Sequence, residues 1–148
     1  MTVRVKNTFC FLISSLFAAA FHLFAAPVFD DATEVLGLKA MGGGTTAWVD
    51  FNNDGWDDLH TGTLWVNVGG KKFTRFAGTA PRGSGTWADF NNDGWIDCYA
   101  HGSGRLWRND AGKGFTDITP KLMTERPTKV CLGAAWADFD GDGWLDLY

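Results

Sequence analysis

Three segments of the chain carry oxygen-bearing side chains at one shared spacing, and this spacing suits a divalent cation. The segments begin at Asp50, Asp89 and Asp138, and each places Asp or Asn at positions 1, 3, 5 and 9, Gly at position 6 and Trp at position 7. Calcium takes about six to eight oxygen ligands, and alternate positions of a tight loop can turn their oxygens inward. The glycine permits the positive-φ bend that such a loop needs. The sequence therefore predicts three calcium-binding loops.

Each predicted site combines four side-chain ligands with the backbone carbonyl of the Trp at position 7. The predicted ligands are Asp50, Asn52, Asp54, Trp56 and Asp58 in loop one, Asp89, Asn91, Asp93, Trp95 and Asp97 in loop two, and Asp138, Asp140, Asp142, Trp144 and Asp146 in loop three. Loop three has the most carboxylates, and charge count tunes calcium affinity. We expect loop three to bind most tightly if its sheet is complete, and we expect Asp57, which lies outside the pattern, to be solvated.

An EF-hand, an ordinary turn and a magnesium site each agree less well with these loops than a calcium site does. An EF-hand needs a bidentate Glu at position 12, where Thr61 and Ala100 stand in loops one and two. Asp, Asn and Gly also form ordinary turns, but three copies with the same oxygen spacing favour a metal. Magnesium prefers a near-octahedral shell with retained waters, so calcium is the favoured cation.

The loops belong to a longer internal repeat. Trp48, Trp87 and Trp136 each stand two residues before the first Asp of a loop, at spacings of 39 and 49 residues. Periods in this range are typical of solenoids and propellers. The repeated segments further along are Leu-Trp-x-Asn at 64–67 and 106–109 and Phe-Thr at 73–74 and 115–116.

Short segments rich in β-branched and aromatic residues, with glycines at their joints, indicate about four strands per repeat. The predicted fold is all-β, with β-propeller blades of four antiparallel strands. The blade units are predicted at about 44–80, 84–120 and 131–148, which amounts to about two and a half blades. Natural propellers usually have about four to eight blades, so we expect a fragment of a longer protein or a chain that must associate.

The N-terminal part has two predicted roles. In residues 1–26, Arg4 and Lys6 precede an apolar run, which is the pattern of a secretory signal peptide. The alternative is an uncleaved membrane anchor. The apolar run is near the lower limit of the length, about 20 residues, that a membrane span requires. Residues 28–38 contain a Phe-x-Asp-x-Thr match to 115–119, which predicts the terminal strand of a ring-closing blade. No membrane span is predicted in the mature region 27–148, and the expected location is secreted or in the cell envelope.

The charge balance excludes one class of partner. The chain has 17 acidic and 13 basic residues, and two of the basic residues, Arg4 and Lys6, lie in the predicted leader. Nucleic acid requires a basic face for its phosphates. We therefore expect no nucleic-acid partner.

Cysteine and histidine residues carry weaker signals. Cys98 and Cys131 could form a disulfide between neighbouring blades, or could be buried thiols that act as small apolar residues. His60 and His101 follow the loops at different offsets, which favours surface or packing roles over a catalytic one. Because no Gly-x-Ser-x-Gly, His-Glu-x-x-His or phosphate-loop motif is present, we expect the chain not to be an enzyme.

Three segments of the second repeat carry a resemblance to a known family. They read Trp-Ala-Asp-Phe-Asn-Asn-Asp-Gly-Trp-Ile-Asp at 87–97, Leu-Trp-Arg-Asn at 106–109 and Gly-Phe-Thr-Asp-Ile-Thr at 114–119. Together they resemble the FG-GAP/VCBS repeat family. This family comprises the integrin-alpha-like calcium-binding β-propeller repeats, and these units look most like the bacterial type found with an ASPIC/UnbV domain. The resemblance covers about residues 28–148. It implies a full-length ring of seven blades, calcium in the blade loops, an extracellular location and a role in binding or adhesion.

Two functions remain in competition at this point. The leading hypothesis is a secreted, non-catalytic module that binds an extracellular protein or glycan and uses calcium structurally. The alternative is a domain of a larger secreted enzyme, such as a lyase or hydrolase carried on a propeller. A sugar-stacking role for Trp65 and Trp107 is a further possibility, although their equivalence in the repeat favours core packing.

Overall fold

The computed structural model describes residues 3–6, 28–39, 45–119 and 132–148, and the chain divides into two compact units. The first unit is Met1–Lys39 and the second is Ala40–Tyr148. Within the described residues, no helix combines the length and apolar character that a membrane span needs. Most of the predicted signal peptide lies outside these residues.

Among its described residues, 3–6 and 28–39, the first unit contains one antiparallel strand pair. Strand β1 (Val3–Lys6) pairs with β2 (Val28–Asp31), and a turn segment follows in which the Leu36 amide donates to the carbonyl of Ala32 (2.9 Å). The segment predicted to close a propeller ring thus includes β2, whose observed partner is β1. Ring closure remains a prediction.

The second unit is built from three sheets in which the strands pair in chain order. The first sheet contains β3 (Ala47–Val49), β4 (Asp58–His60), β5 (Leu64–Asn67) and β6 (Phe73–Arg75). The second contains β7 (Thr86–Ala88), β8 (Asp97–Ala100), β9 (Arg105–Asn109) and β10 (Phe115–Asp117). The third pairs β11 (Trp136–Ala137) with β12 (Asp146–Leu147).

All of these neighbouring strands are antiparallel. Short apolar and β-branched runs separated by Gly turns produce this arrangement, since each run can form only one short strand before the chain reverses. The prediction of an all-β fold with four-stranded antiparallel blades is confirmed.

The core lies between successive sheets. Between the first and second sheets, one cluster is centred on buried Phe51 and Phe115, whose rings are 5.8 Å apart. Between the second and third, Tyr99 and Leu106 form a cluster against which Trp136 packs. Each sheet therefore buries its apolar face against the next sheet, and the loops that join the first two strands of each sheet lie side by side at one end.

Candidate metal centres

Each predicted loop joins the first two strands of its sheet, so strand pairing brings its two ends together. Position 1 directly follows the first strand, and position 9 is the first residue of the second. In loop one, Asp58 is in register with Val49, and in loop two Asp97 is in register with Ala88. In loop three Asp146 is in register with Ala137. The position-9 carboxylate therefore lies next to the start of its own loop.

The carboxylate at position 1 organises the backbone of the loop. In loop one, Asp50 Oδ1 accepts a hydrogen bond from the Asp54 amide (3.1 Å), and Asp50 Oδ2 accepts one from the Gly55 amide (2.9 Å). Asp89 and Asp138 make the corresponding bonds in loops two and three. These bonds curl the loop around its acidic side chains, so the same sequence spacing produces the same local structure three times.

The glycine at position 6 adopts the predicted left-handed backbone conformation. Its φ is +84° at Gly55, +85° at Gly94 and +91° at Gly143. Position 4 also has positive φ, at Asn53, Asn92 and Gly141. Asn tolerates this region better than other residues with a Cβ, which accounts for its use at position 4 in loops one and two.

The side chains at positions 3 and 5 interact directly. In loop one, the Asn52 amide donates to Asp54 Oδ2 (3.0 Å), and Asp54 Oδ1 accepts from the backbone amide of Trp56 (2.9 Å). Loop two repeats both bonds with Asn91, Asp93 and Trp95. The structure thus brings the side chains at positions 3 and 5 of these two loops together, with the NH2 group of the Asn facing the Asp carboxylate.

The position-9 carboxylates of loops one and two are buried and only half satisfied. Asp58 and Asp97 are fully buried, and in each case Oδ1 accepts a backbone N–H at 2.7 Å, from Asn67 and Asn109 respectively. Oδ2 of each makes no hydrogen bond of standard geometry among the described residues, although the backbone amides of Phe51 and Phe90 lie near enough to lower the pKa of Asp58 and Asp97 respectively. A buried carboxylate oxygen without a partner is costly, and a cation would supply the missing interaction.

The raised pKa values of these two carboxylates agree with their incomplete hydrogen bonding. Burial raises the pKa of Asp58 to about 6, and the nearby Asp54 and Asp50 carboxylates add to the rise, while hydrogen bonds such as that from Asn67 oppose it. Burial likewise raises the pKa of Asp97 to about 6, with Asp93 adding to it. Like charges brought together in a poorly solvated place favour protonation or metal binding.

Loop three gathers its acids differently. Carboxylate oxygens of Asp138, Asp140 and Asp146 lie within 4.8 Å of one another, which is close enough for one ion to contact all three. Its position-9 residue, Asp146, is partly exposed, and its Oδ2 accepts the Phe139 amide (3.1 Å). Loop three therefore offers an open, strongly acidic group of oxygens. Loops one and two each offer a single buried carboxylate oxygen that has no hydrogen-bond partner among the described residues.

Arg108 offsets part of the acidity of loop two. Its guanidinium pairs with Asp110 at 2.8 Å. That pair raises the pKa of Arg108, and Asp93 and Asp97 also contribute. Val66 stands at the equivalent position in the first sheet, so loop one has no such cation. We expect loop two to bind a divalent cation less tightly than loop one for this reason.

In loops one and two, the Trp side chain at position 7 lies against the glycine turn between the third and fourth strands of its sheet. A Cβ added to Gly70 would stand 2.5 Å from a ring atom of Trp56, and one added to Gly112 would stand 3.1 Å from the ring of Trp95. The ring of Trp56 is 47 % exposed. Trp56 therefore covers a turn at the surface.

Sequence reasoning missed the asparagine that supports each of the first two loops. Asn67 donates its side-chain amide to the carbonyl of Asp57 (2.9 Å) and accepts from the Gly70 amide (2.8 Å). Asn109 makes the corresponding bonds to Ile96 and Gly112 and also donates to the carbonyl of Phe51 in the first sheet (2.8 Å). The available signal was the repeated Leu-Trp-x-Asn segment, whose last residue is this asparagine.

A second set of bonds links successive loops. The Asn53 side-chain amide donates to the carbonyl of Gly94 (2.9 Å), and that of Asn92 donates to the carbonyl of Gly143 (3.2 Å). Position 4 of one loop thus contacts position 6 of the next. The signal in the sequence was Asn at position 4 of loops one and two, which carried no predicted role.

The described histidine and cysteine residues of the second unit occupy buried positions. His60 is fully buried, burial lowers its pKa, and its ring makes an edge contact with Trp87 at 5.1 Å. His101 is also buried. Cys98 is a buried free thiol, and burial raises its pKa. Cys131 lies outside the described residues, so the choice between a disulfide and two buried thiols stays a prediction.

The fold and the loops together define a repeat protein of antiparallel, four-stranded, propeller-type blades with acidic loops at one end. Residues 89–148 match the family model described as an FG-GAP-like repeat. This segment therefore carries an FG-GAP-like repeat, as the repeat motifs predicted; the association with an ASPIC/UnbV domain stays a prediction. No curated protein and no solved structure matched the chain.

Proposed function

We propose that the chain is a secreted or cell-envelope, non-catalytic module that binds calcium in its three loops and a protein or glycan on its surface. The single observation that supports calcium most strongly is the buried Oδ2 atom of Asp58 and of Asp97, which lacks a partner among the described residues. The other predicted ligands in each loop are hard oxygen donors, which calcium prefers. The residues present therefore fit the cation.

Calcium in this proposal has a structural role. A ligand that binds only the folded state stabilises that state by an amount that grows with the logarithm of its concentration relative to its Kd. Bound calcium would neutralise acids that now repel one another at the end of each sheet. Because each loop joins the first two strands of a sheet, fixing the loop also fixes the strand pair.

A non-catalytic role is supported by the histidines. His60 packs within the protein and its lowered pKa favours the neutral ring, so it contributes to packing. The acids at the loop ends are assigned to calcium. The binding role itself is supported by the family, since folds host many functions and a partner must be identified from its own site.

Calorimetric titration of the purified chain tests the metal proposal. We expect saturable calcium binding at two or three sites and a melting temperature that rises with calcium, with a smaller response to magnesium at equal concentration. A folded chain that binds no calcium would contradict the proposal and leave the loops as acidic turns. Recovery of a processed chain from the medium or the cell envelope, lacking residues 1–26, tests the location.

A further inference from the structure

A cavity of about 530 Å³ opens between the first and second sheets at the end opposite to the loops. The turns from β4 to β5 and from β8 to β9 reach this end, because antiparallel strands place alternate turns at opposite ends of a sheet. The connection between β6 and β7 also passes here. The cavity is therefore separate from the candidate metal centres, and all its lining residues are described.

Three arginines line this cavity in a chain with an excess of acidic residues. They are Arg75, Arg82 and Arg105, and no Asp or Glu is among the lining residues. Arg105 forms an ion pair with Asp117. Arg75 and Arg82 are exposed, and neither has an ion-pair partner within the described part of the chain. Two uncompensated guanidinium groups thus border one concave site.

The rest of the lining combines ring surfaces with hydroxyl groups. Phe76 and Trp107 contribute aromatic surface, and Thr63, Thr79 and Ser103 contribute hydroxyl side chains. The volume lies within the range of small-molecule sites, which is about 300–1,000 Å³. A ligand of matching chemistry has a ring, several hydroxyl groups and an anionic group.

We propose that this cavity binds a carboxylated sugar of the uronate class, with Arg75 and Arg82 holding the carboxylate. The planar guanidinium forms paired, charge-assisted hydrogen bonds with carboxylates. The sugar ring lies against Phe76 and Trp107, and the hydroxyl side chains meet the sugar hydroxyls. This inference specifies the ligand class of the proposed binding function, while the site itself contains none of the predicted calcium ligands.

Calorimetric titration with glucuronate, glucose and inorganic phosphate separates the contributions of ring and charge. We expect saturable binding of glucuronate, no saturable binding of glucose and weaker binding of phosphate, which has the charge but no ring. The double variant Arg75→Gln/Arg82→Gln should lose affinity for glucuronate about tenfold or more, because charge-assisted bonds are removed. The variant Lys71→Gln/Lys72→Gln, with the same change of charge outside the cavity, should bind as the parent does.

Several results would overturn this inference. They are failure of glucuronate to bind, equal binding of glucose, equal or tighter binding of phosphate, or unchanged affinity in the arginine double variant. Circular dichroism establishes that each variant is folded, and the single variant Arg82→Gln serves if the double variant is not. Calcium titration of the same samples keeps the two proposals distinct. The arginine variants should bind calcium with the affinity of the parent, whether or not their affinity for glucuronate changes.

Discussion

The sharpest test of the metal centres is the pair of substitutions Asp58→Asn and Asp57→Asn in loop one. Both remove one negative charge from adjacent positions. Asp58 is buried with an unpartnered Oδ2 atom, whereas Asp57 is exposed and lies outside the ligand pattern. The two variants thus differ in the feature that the proposal depends on, and Asp57→Asn controls for a general effect of charge.

Without calcium, Asp58→Asn should stabilise the protein at neutral pH. Burial raises the pKa of Asp58 from its ordinary value of 3.8 to about 6, and each pKa unit corresponds to about 1.4 kcal/mol. The ionised form therefore costs the folded state at most about 3 kcal/mol at pH 7. Solvent near the loop and relaxation of its acids reduce this, so we expect a gain of about 1–2 kcal/mol in the free energy of unfolding.

With calcium, the same substitution should remove the contribution of loop one. A site at one hundred times its Kd adds about 2.7 kcal/mol to stability, which for a unit of this size is a melting-temperature shift of about 10 °C. Asp58→Asn should lose about that much of the calcium-induced shift, and Asp57→Asn should lose none. Differential scanning calorimetry with and without calcium measures both effects.

Two outcomes would refute this reasoning. If Asp58→Asn keeps the full calcium-induced shift, Asp58 is not a ligand. If it is destabilised by more than about 2 kcal/mol without calcium, its buried charge is favourable in the folded state and the pKa argument fails. Equal behaviour of the two variants would show that only the overall charge matters.

Three further predictions concern pH, the loop glycines and the buried thiol. Because the pKa of Asp58 and that of Asp97 are raised in the folded state, these two groups bind more protons in the folded chain than in the unfolded chain between about pH 4 and 6. Without calcium, their contribution to stability should therefore fall as the pH rises through this window, while the lowered pKa of His60 contributes in the opposite sense. Calcium affinity should weaken below about pH 6, and an affinity that does not change with pH would count against the buried carboxylates as ligands. Gly94→Ala should lower the free energy of unfolding by about 1–2 kcal/mol, because φ is +85° there. Gly102→Ala, with ordinary φ and no atom within 4 Å of the added Cβ, should leave it nearly unchanged in denaturant melts. Equal losses of stability in the two variants would contradict the backbone argument. The Cys98 thiol should resist alkylation in the folded protein and react on unfolding, as followed by mass spectrometry, and rapid labelling of the native protein would contradict its burial.

The loops and their strands were predictable because their determinants are local. Oxygen spacing, the position-6 glycine and the short apolar runs all lie close together along the chain. Strand ends show the limit of such reasoning. Strand β4 (Asp58–His60) begins at the last position of the loop motif, and the chain already turns at Thr61, whose amide donates to the carbonyl of Thr63. Strand ends depend on register with the neighbouring strand, which a single sequence does not show.

Burial could not be predicted from the repeat position alone. Phe51, Phe90 and Phe139 all occupy position 2 of their loops, yet Phe51 is 1 % exposed and Phe139 is 80 % exposed. Phe51 packs against Phe76 and Phe115, and Phe90 stacks on Trp136 of the next sheet. Phe139 has no described sheet following its own. The two Leu-Trp segments also differ in burial. Trp65 is buried, as core packing predicted, whereas Trp107 is partly buried and also lines the cavity that contains Arg75, Arg82 and Arg105.

The contacts that sequence reasoning missed explain how a metal in one loop can stabilise more than that loop. Asp97 holds the backbone amide of Asn109, and the Asn109 side chain donates to the carbonyl of Phe51 in loop one. Asn53 of loop one in turn donates to the carbonyl of Gly94 in loop two. A cation that fixes Asp97 therefore also fixes the asparagine that joins the two sheets. Under the proposed function, calcium bound in this arrangement would stabilise the contact between neighbouring sheets, where the two clusters of buried apolar side chains lie.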